Sequence, residues 1–269
     1  MASPHRPAAV QAASLHVPRP GQSPTGTAPA AGGPVRRDLP LTRRYEVACL
    51  LPNGDLDRMS RVAPATPAFE DAFGAFSRGT LVATVDGPVA VEDLLPGTLV
   101  ETASHGPQPL LWVGAMTVVP DAGTRHGGEV ARLTRLAADA FGLGRPMPDL
   151  VLGPRARILH RDARCAGILG TAQAFAPARA FADGESVIEV TPASPVRVHH
   201  LAFDRQQTIL ANGIEVESFH PGPQAGALHT PEMAALFLAL FPHLDGFDGF
   251  GPMEVPRLTA FELESLRAA

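Results

Sequence analysis

Few residues in this chain are of a type that does covalent chemistry, and their spacing narrows the choice further. Ser77 stands in "AFSRGT" and His200 in "VRVHHLAF". A serine hydroxyl becomes a nucleophile when a histidine within hydrogen-bond reach takes its proton. The pair would be a nucleophile and its base if the fold joins them. Otherwise Ser77 is a polar turn residue and His200 a half-exposed strand residue. His199 and His200 are adjacent, and neighbours on a strand point to opposite faces, so the two do not share a metal. Neither a metal site nor a cofactor site is expected. His160 and Cys165 are a second candidate couple, separated by Arg161 and Arg164. Cys49, in an apolar alternation, reads as a small buried side chain.

Arg155, Arg157, Arg161 and Arg164 crowd into one short stretch. They admit two readings: an anion-binding patch, since guanidinium groups match carboxylates and phosphates, or a solvated rim answered by Asp149 and Asp162. The rim is the expected outcome. Every one of the 22 basic residues is arginine, which excludes a phosphate-loop lysine, a Schiff-base lysine and a lysine general base. A net charge of -5 over 269 residues carries no nucleic-acid footprint. The two cysteines form no Cys-x-x-Cys pair, so neither a thiol-rich zinc site nor a disulfide scaffold is expected. The opening "MASPHRPAAVQAASLHVPRPG" lacks an apolar core of signal-peptide length, and no run approaches a membrane span. The expectation is a cytoplasmic protein that binds neither membrane nor nucleic acid.

The elements that must position these residues are mostly short strands. Residues 1–40, rich in Pro, Ala, Gly and Ser, read as a disordered leader. "RRYEVACLLPNGDLDRMSRV" places Asn53-Gly54 between two runs and predicts a hairpin. Thr66 and Pro67 open a short helix. Runs such as "GTLVAT", "PQPLLWVGAMTVV", "EVARLT", "DLVLGPRARILH", "SVIEVTP" and "TILANGIEVESF" follow at roughly ten-residue spacing, a mainly β pattern. Trp112, Phe69, Phe73 and Phe76 are expected to fill the core. Past residue 223 the pattern turns helical: Thr230-Pro231 precedes Met233, Leu236, Phe237 and Leu240 on one face, and Thr259 with Glu262 forms a capping box.

Residues 76–102 resemble the first conserved block of the Hint superfamily, the fold shared by inteins and the hedgehog autoprocessing domain. Its bacterial members open with Cys, an aromatic residue, two variable residues and Gly-Thr, then Val-x-x-Leu-x-x-Gly-x-x-Val. Here those places hold Ala75, Phe76, Ser77, Arg78, Gly79 and Thr80, then Val91, Leu94, Gly97 and Val100. A second block resembles the intein ending: Ala211, Asn212, Gly213, Ile214 and Val216 match, while the final His and Asn places hold Glu217 and Ser218. The site-facing Asp of an intein strand falls on His200, and a later His on Gln207. "QPLLWVG", residues 108–114, is also similar to the bacterial group. A Thr-x-x-His block falls on "LVLGPRARIL", with Gly153 at the Thr and Ala156 at the His.

The resemblance covers about residues 70–222 and implies a Hint-type horseshoe or barrel-like β fold. It divides the chain into a leader (1–40), a hairpin extension (41–68), a Hint-like domain (69–222) and a helical extension (223–269). It also implies that Ala75 has no nucleophile for the acyl shift, that Ala156 lacks the acid, and that Ser218 cannot cyclise as Asn does. The expected function is a Hint-fold scaffold without autoprocessing whose cleft binds an unknown protein or peptide, with self-association through residues 230–241 as a further expectation. The alternative is residual self-cleavage by Ser77 and His200, Ser77 lying two places past Ala75 on the same strand face.

Overall fold

The computed structural model describes residues 41–120, 132–222, 228 and 230–268. The expected leader over 1–40 lies outside them, as does the first half of the run "EVARLT". Among the described residues the chain is mainly β. β1 (Thr42–Leu50) and β2 (Leu56–Pro64) come first, followed by a helix, Pro67–Glu70. Then come β3 (Phe76–Ser77), β4 (Leu81–Thr84), β5 (Gly87–Ala90), β6 (Leu99–Thr102), β7 (Gly106–Pro109) and β8 (Trp112–Val118). β9 (Leu133–Leu136), β10 (Leu150–Leu152), β11 (Arg157–Arg161) and β12 (Gln173–Pro177) precede β13 (Val187–Val190), β14 (Val196–Ala202), β15 (Thr208–Ala211) and β16 (Ile214–Glu217). Two helices, Pro231–Leu238 and Ala260–Ala268, lie near the end.

These strands form two eight-stranded sheets. The first runs β13-β9-β10-β3-β14-β8-β1-β2, and the second β12-β11-β16-β15-β4-β6-β7 with β5 beside β4. Neither order returns on itself, so the barrel-like part of the expectation gives way to two open sheets. The Asn53-Gly54 hairpin forms, with Thr42 opposite Pro64 and Leu50 opposite Leu56. β1 also pairs with β8, Tyr45 against Met116, which makes the hairpin part of the first sheet. Only Gly54 of its turn has positive φ, whereas Asn212 (48°) and Gly213 (82°) both do. The β15–β16 hairpin thus has the two-residue mirror-image turn whose twist suits paired strands.

The first sheet is covered on both sides, which explains why β8, "WVGAMTV", is buried at every position but one. Strand side chains alternate between faces. Val113 joins one core with Phe76, Leu150, Leu152 and Ile209. Trp112, Met116 and Val118 join another with Tyr45, Phe69, Phe73, Phe219, Phe237 and Phe241. The segments before residue 74 and after residue 218 supply most of that second core. Phe69 meets Phe237 edge-on with ring centres 5.6 Å apart, Trp112 stacks on Phe241 at 4.6 Å, and the Trp112 indole N–H donates to the Leu240 carbonyl at 2.8 Å.

Local signals worked unevenly. The Thr259–Glu262 box closes in both directions, Thr259 N–H to Glu262 at 2.7 Å and Glu262 N–H to Thr259 Oγ1 at 3.2 Å. Thr230 caps its helix by accepting from Met233 N–H. Thr66 sits at the expected N-cap but its side chain makes no capping bond. No helix among the described residues is long and apolar enough to cross a membrane.

Candidate active site

The peptide between Gly74 and Ala75 lies beside Gly153, Arg155 and His199. Ala75 has no exposed surface. Its N–H donates to the His199 carbonyl at 3.0 Å and its carbonyl accepts from Gly153 N–H at 2.7 Å, while the Gly74 carbonyl accepts from Arg155 N–H at 2.9 Å. β3, held between β10 and β14, delivers this peptide to the sheet interior. Gly153, at the Thr place, lies against it so closely that a Cβ there would stand 2.2 Å from the Gly74 oxygen. The same crowding holds at Gly114, whose missing Cβ leaves room for the Trp112 ring. A threonine at 153 would therefore displace the very peptide it is expected to act on. Ala156, at the His place, is buried and forms part of the wall of an open cavity of about 310 Å³.

Ser77 and His200 are close in the fold but are not joined. The Ser77 hydroxyl donates to the Val151 carbonyl at 2.7 Å, and its strand partner on β14 is Val198. His200 holds Nδ1 3.0 Å from the Asp71 carbonyl. A carbonyl only accepts, so Nδ1 carries the proton and the Nε2 lone pair, buried without a hydrogen-bond partner, is left basic in form. Burial pushes its pKa down to about 3, since the ring lies edge-on to Phe76 and Phe219. His199 points to the other face, as alternation requires, and lines a groove with Glu46, Glu92 and Arg197. No group of three or more His, Cys, Asp or Glu among the described residues is placed to hold a metal. His160 and Cys165 share no hydrogen bond: the imidazole lies 3.9 Å from Asp162, and burial pushes the Cys165 thiol up. Cys49 is buried in β1, its thiol pushed up by desolvation to about 11.

Glu217 and Ser218, at the His-Asn places, have structural partners. Ser218 Oγ accepts from Gln207 N–H at 2.8 Å. Glu217, 2% exposed, receives Arg257 Nε at 2.8 Å and a hydrogen bond from Gln206. Arg257 belongs to the C-terminal segment, which lies beside β12: Phe175 N–H donates to the Pro256 carbonyl at 2.9 Å and Leu258 N–H to the Phe175 carbonyl at 2.8 Å. Gln206 holds the same segment through both the N–H and the carbonyl of Val255.

Two of the four crowded arginines depart from the solvated-rim expectation. Arg161 pairs with Glu215 and Arg164 with Asp162 at the surface, but Asp149 pairs with Arg135 instead. Arg155 and Arg157 turn into the cleft. A chain of charges runs Arg43–Glu70–Arg155–Asp71–Arg157–Glu217–Arg257, with separations from 2.7 to 3.7 Å. Sequence reasoning missed Glu70, Asp71, Gln206 and Arg257, and no local signal marks them, since each pairing closes a loop of tens of residues. Gly153 beside Pro154 was the visible hint that backbone packs closely here.

A family model described as "Hint domain" matches residues 74–223, more than half of the chain and the span containing both matching blocks. The chain belongs to the Hint domain family. This Hint domain is also similar to the solution structure of a bacterial intein-like domain from Clostridium thermocellum, at 14% identity over 54% of this chain and 99% of that one, with a TM-score of 0.38. The splice-inactive AceL NrdHF class 3 split intein is similar at 11% identity over 54% of this chain and 97% of that one, TM-score 0.37. No curated protein matches the chain.

Proposed function

We propose that this Hint domain has lost self-cleavage and uses the cleft beside Gly74–Ala75 to bind a protein or peptide partner. The observation that carries the reading is the methyl group of Ala75, buried where the family pattern has its nucleophile: a methyl cannot attack the Gly74 carbonyl. The surroundings support it. Gly153 and Ala156 bring no acid to the leaving nitrogen, and the usual worth of such a group is about two to four decades of rate. Glu217 is engaged by Arg257, and the two flanking segments that cleavage would release are packed into one aromatic core.

The test is the intact mass of the full chain under denaturing conditions, fresh and after a day at neutral pH, with dithiothreitol or hydroxylamine to trap an ester. Denaturation matters because the aromatic core would hold cut pieces together. A single unchanged mass is expected. Fragments ending near residues 74–77 would sink the proposal and make Ser77 the first residue to replace.

A further inference from the structure

The cavity walled by Ala156 is unusual in what its donors lack. Arg157 has a side chain only 15% exposed, yet its contacts are Nη2 to Asp71 and Nη1 to Glu217, both at 3.7 Å. That is an ion-pair distance and too long for a hydrogen bond. Burial pushes its guanidinium below the ordinary arginine range, with Glu217 opposing the shift. Arg155 donates to Glu70 at 3.3 Å, and its buried Nε stands 3.3 Å from Asp71 Oδ1 as an ion pair without hydrogen-bond geometry. No nitrogen of Arg157 is among the buried atoms without a partner, so its unbonded donors face open space, where an acceptor that enters the cavity meets them. Arg257 closes the same cavity, and Arg179 is on its wall.

The charge balance gives the sign of the missing acceptor. Without counting Arg179, four arginines (43, 155, 157 and 257) face three carboxylates (Glu70, Asp71, Glu217) along the chain of ion pairs. The cavity wall itself carries Asp71 among Arg155, Arg157 and Arg257. Its size, about 310 Å³, falls at the lower end of small-molecule sites.

We propose that this cavity binds a carboxylate or phosphate group, held by Arg155 and Arg157. The inference rests on the reading of the cleft as a binding site and gives that site a ligand class. An oxyanion accepts the Arg157 donors that Asp71 and Glu217, both at 3.7 Å, are too distant to take, in the fork geometry that guanidinium groups prefer.

The experiment is calorimetric titration of the full chain with inorganic phosphate and, separately, succinate, at constant ionic strength set with chloride. Intact mass is recorded on the same samples. The expected result is saturation with a Kd at or below about 1 mM for at least one probe. Arg157→Met is expected to weaken it at least ~10-fold. That variant disturbs buried charge, so a second one guards against misfolding: Ala260→Glu puts a carboxylate on the cavity wall, in the first turn of a helix where an acid is well tolerated. It should melt like the parent in anion-free buffer and lose binding by a similar factor. Preference for succinate assigns a carboxylate and preference for phosphate a phosphoryl group. Absence of saturation with both probes, or equal affinity in parent and both variants, overturns the inference. A cut chain in the mass record overturns the proposed function separately.

Discussion

Two regions tie the segments before and after the Hint domain to it, and they do so by different physics. On one face of the first sheet, Tyr45, Phe69 and Phe73 meet Phe237 and Phe241 across Trp112. On the cleft side, Arg43, Glu70 and Asp71 reach Arg257 through Arg155, Arg157 and Glu217. Apolar packing is non-directional and gains from every area covered, so the aromatic region ends with its rings buried and its indole N–H satisfied. Ion pairs stabilise only with good geometry and full hydrogen bonding. In the cleft Glu217 has both, and Arg157 has neither. By this difference the first region does the holding, and the second contains the site proposed to bind.

The sharpest way to break this contrast is to empty the aromatic region. Trp112→Ala removes the ring that both flanks share and is expected to cost about 3–5 kcal/mol in denaturant unfolding, the largest loss of any substitution considered. A cost under about 1 kcal/mol would mean that the flanks are not held there. Next comes Arg257→Met, which leaves Glu217 buried beside only the distant Arg157 and the Gln206 amide. A loss of about 3 kcal/mol is expected, and adding Glu217→Gln should return part of it. If the double variant is no better than the single one, the pair is not coupled.

Acidification acts on the buried imidazoles. Burial holds His200 at about 3 and both His199 and His243 at about 4, below the ordinary 6.5. Between these values the unfolded chain binds protons that the folded chain does not. Stability therefore falls as pH drops below about 6.5, before most carboxylates begin to titrate. Melting temperature measured from about pH 7 to about pH 5 should decline, and a flat profile would show that these imidazoles are hydrated. The smallest effect is Ser77→Ala, expected to cost about 1 kcal/mol for its bond to Val151 while the intact mass stays unchanged. Loss of a cut on that substitution would restore Ser77 as a nucleophile.

The site was half legible before any coordinates. The blocks around residues 75–102 and 208–217 located the Gly74–Ala75 peptide and the places around it, because turn glycines and alternating strands are written in consecutive residues. Why those places hold other side chains was not legible. Gly153 is glycine because Gly74 lies against it, a contact between residues 79 positions apart in number. Arg155 and Arg157 looked like solvated residues because their partners, Glu70 and Asp71, come from a helix turn before the domain begins. The helical face of Met233, Leu236, Phe237 and Leu240 was visible as apolar, but only packing revealed that Phe237 and Leu240 are buried within this chain.

By itself, then, the sequence determined the hairpin at Asn53-Gly54, the capping box at Thr259, the mainly β pattern and the absence of a thiol at position 75. Each depends on residues a few places apart, where propensity and turn chemistry act directly. Only the tertiary structure decided that the C-terminal segment lies beside β12, that Arg257 takes Glu217, and that Arg157 faces a cavity with its donors unmade. Those outcomes are competitions among many arginines and carboxylates of similar chemistry, and distance in the folded chain, which no local pattern records, selects the winners.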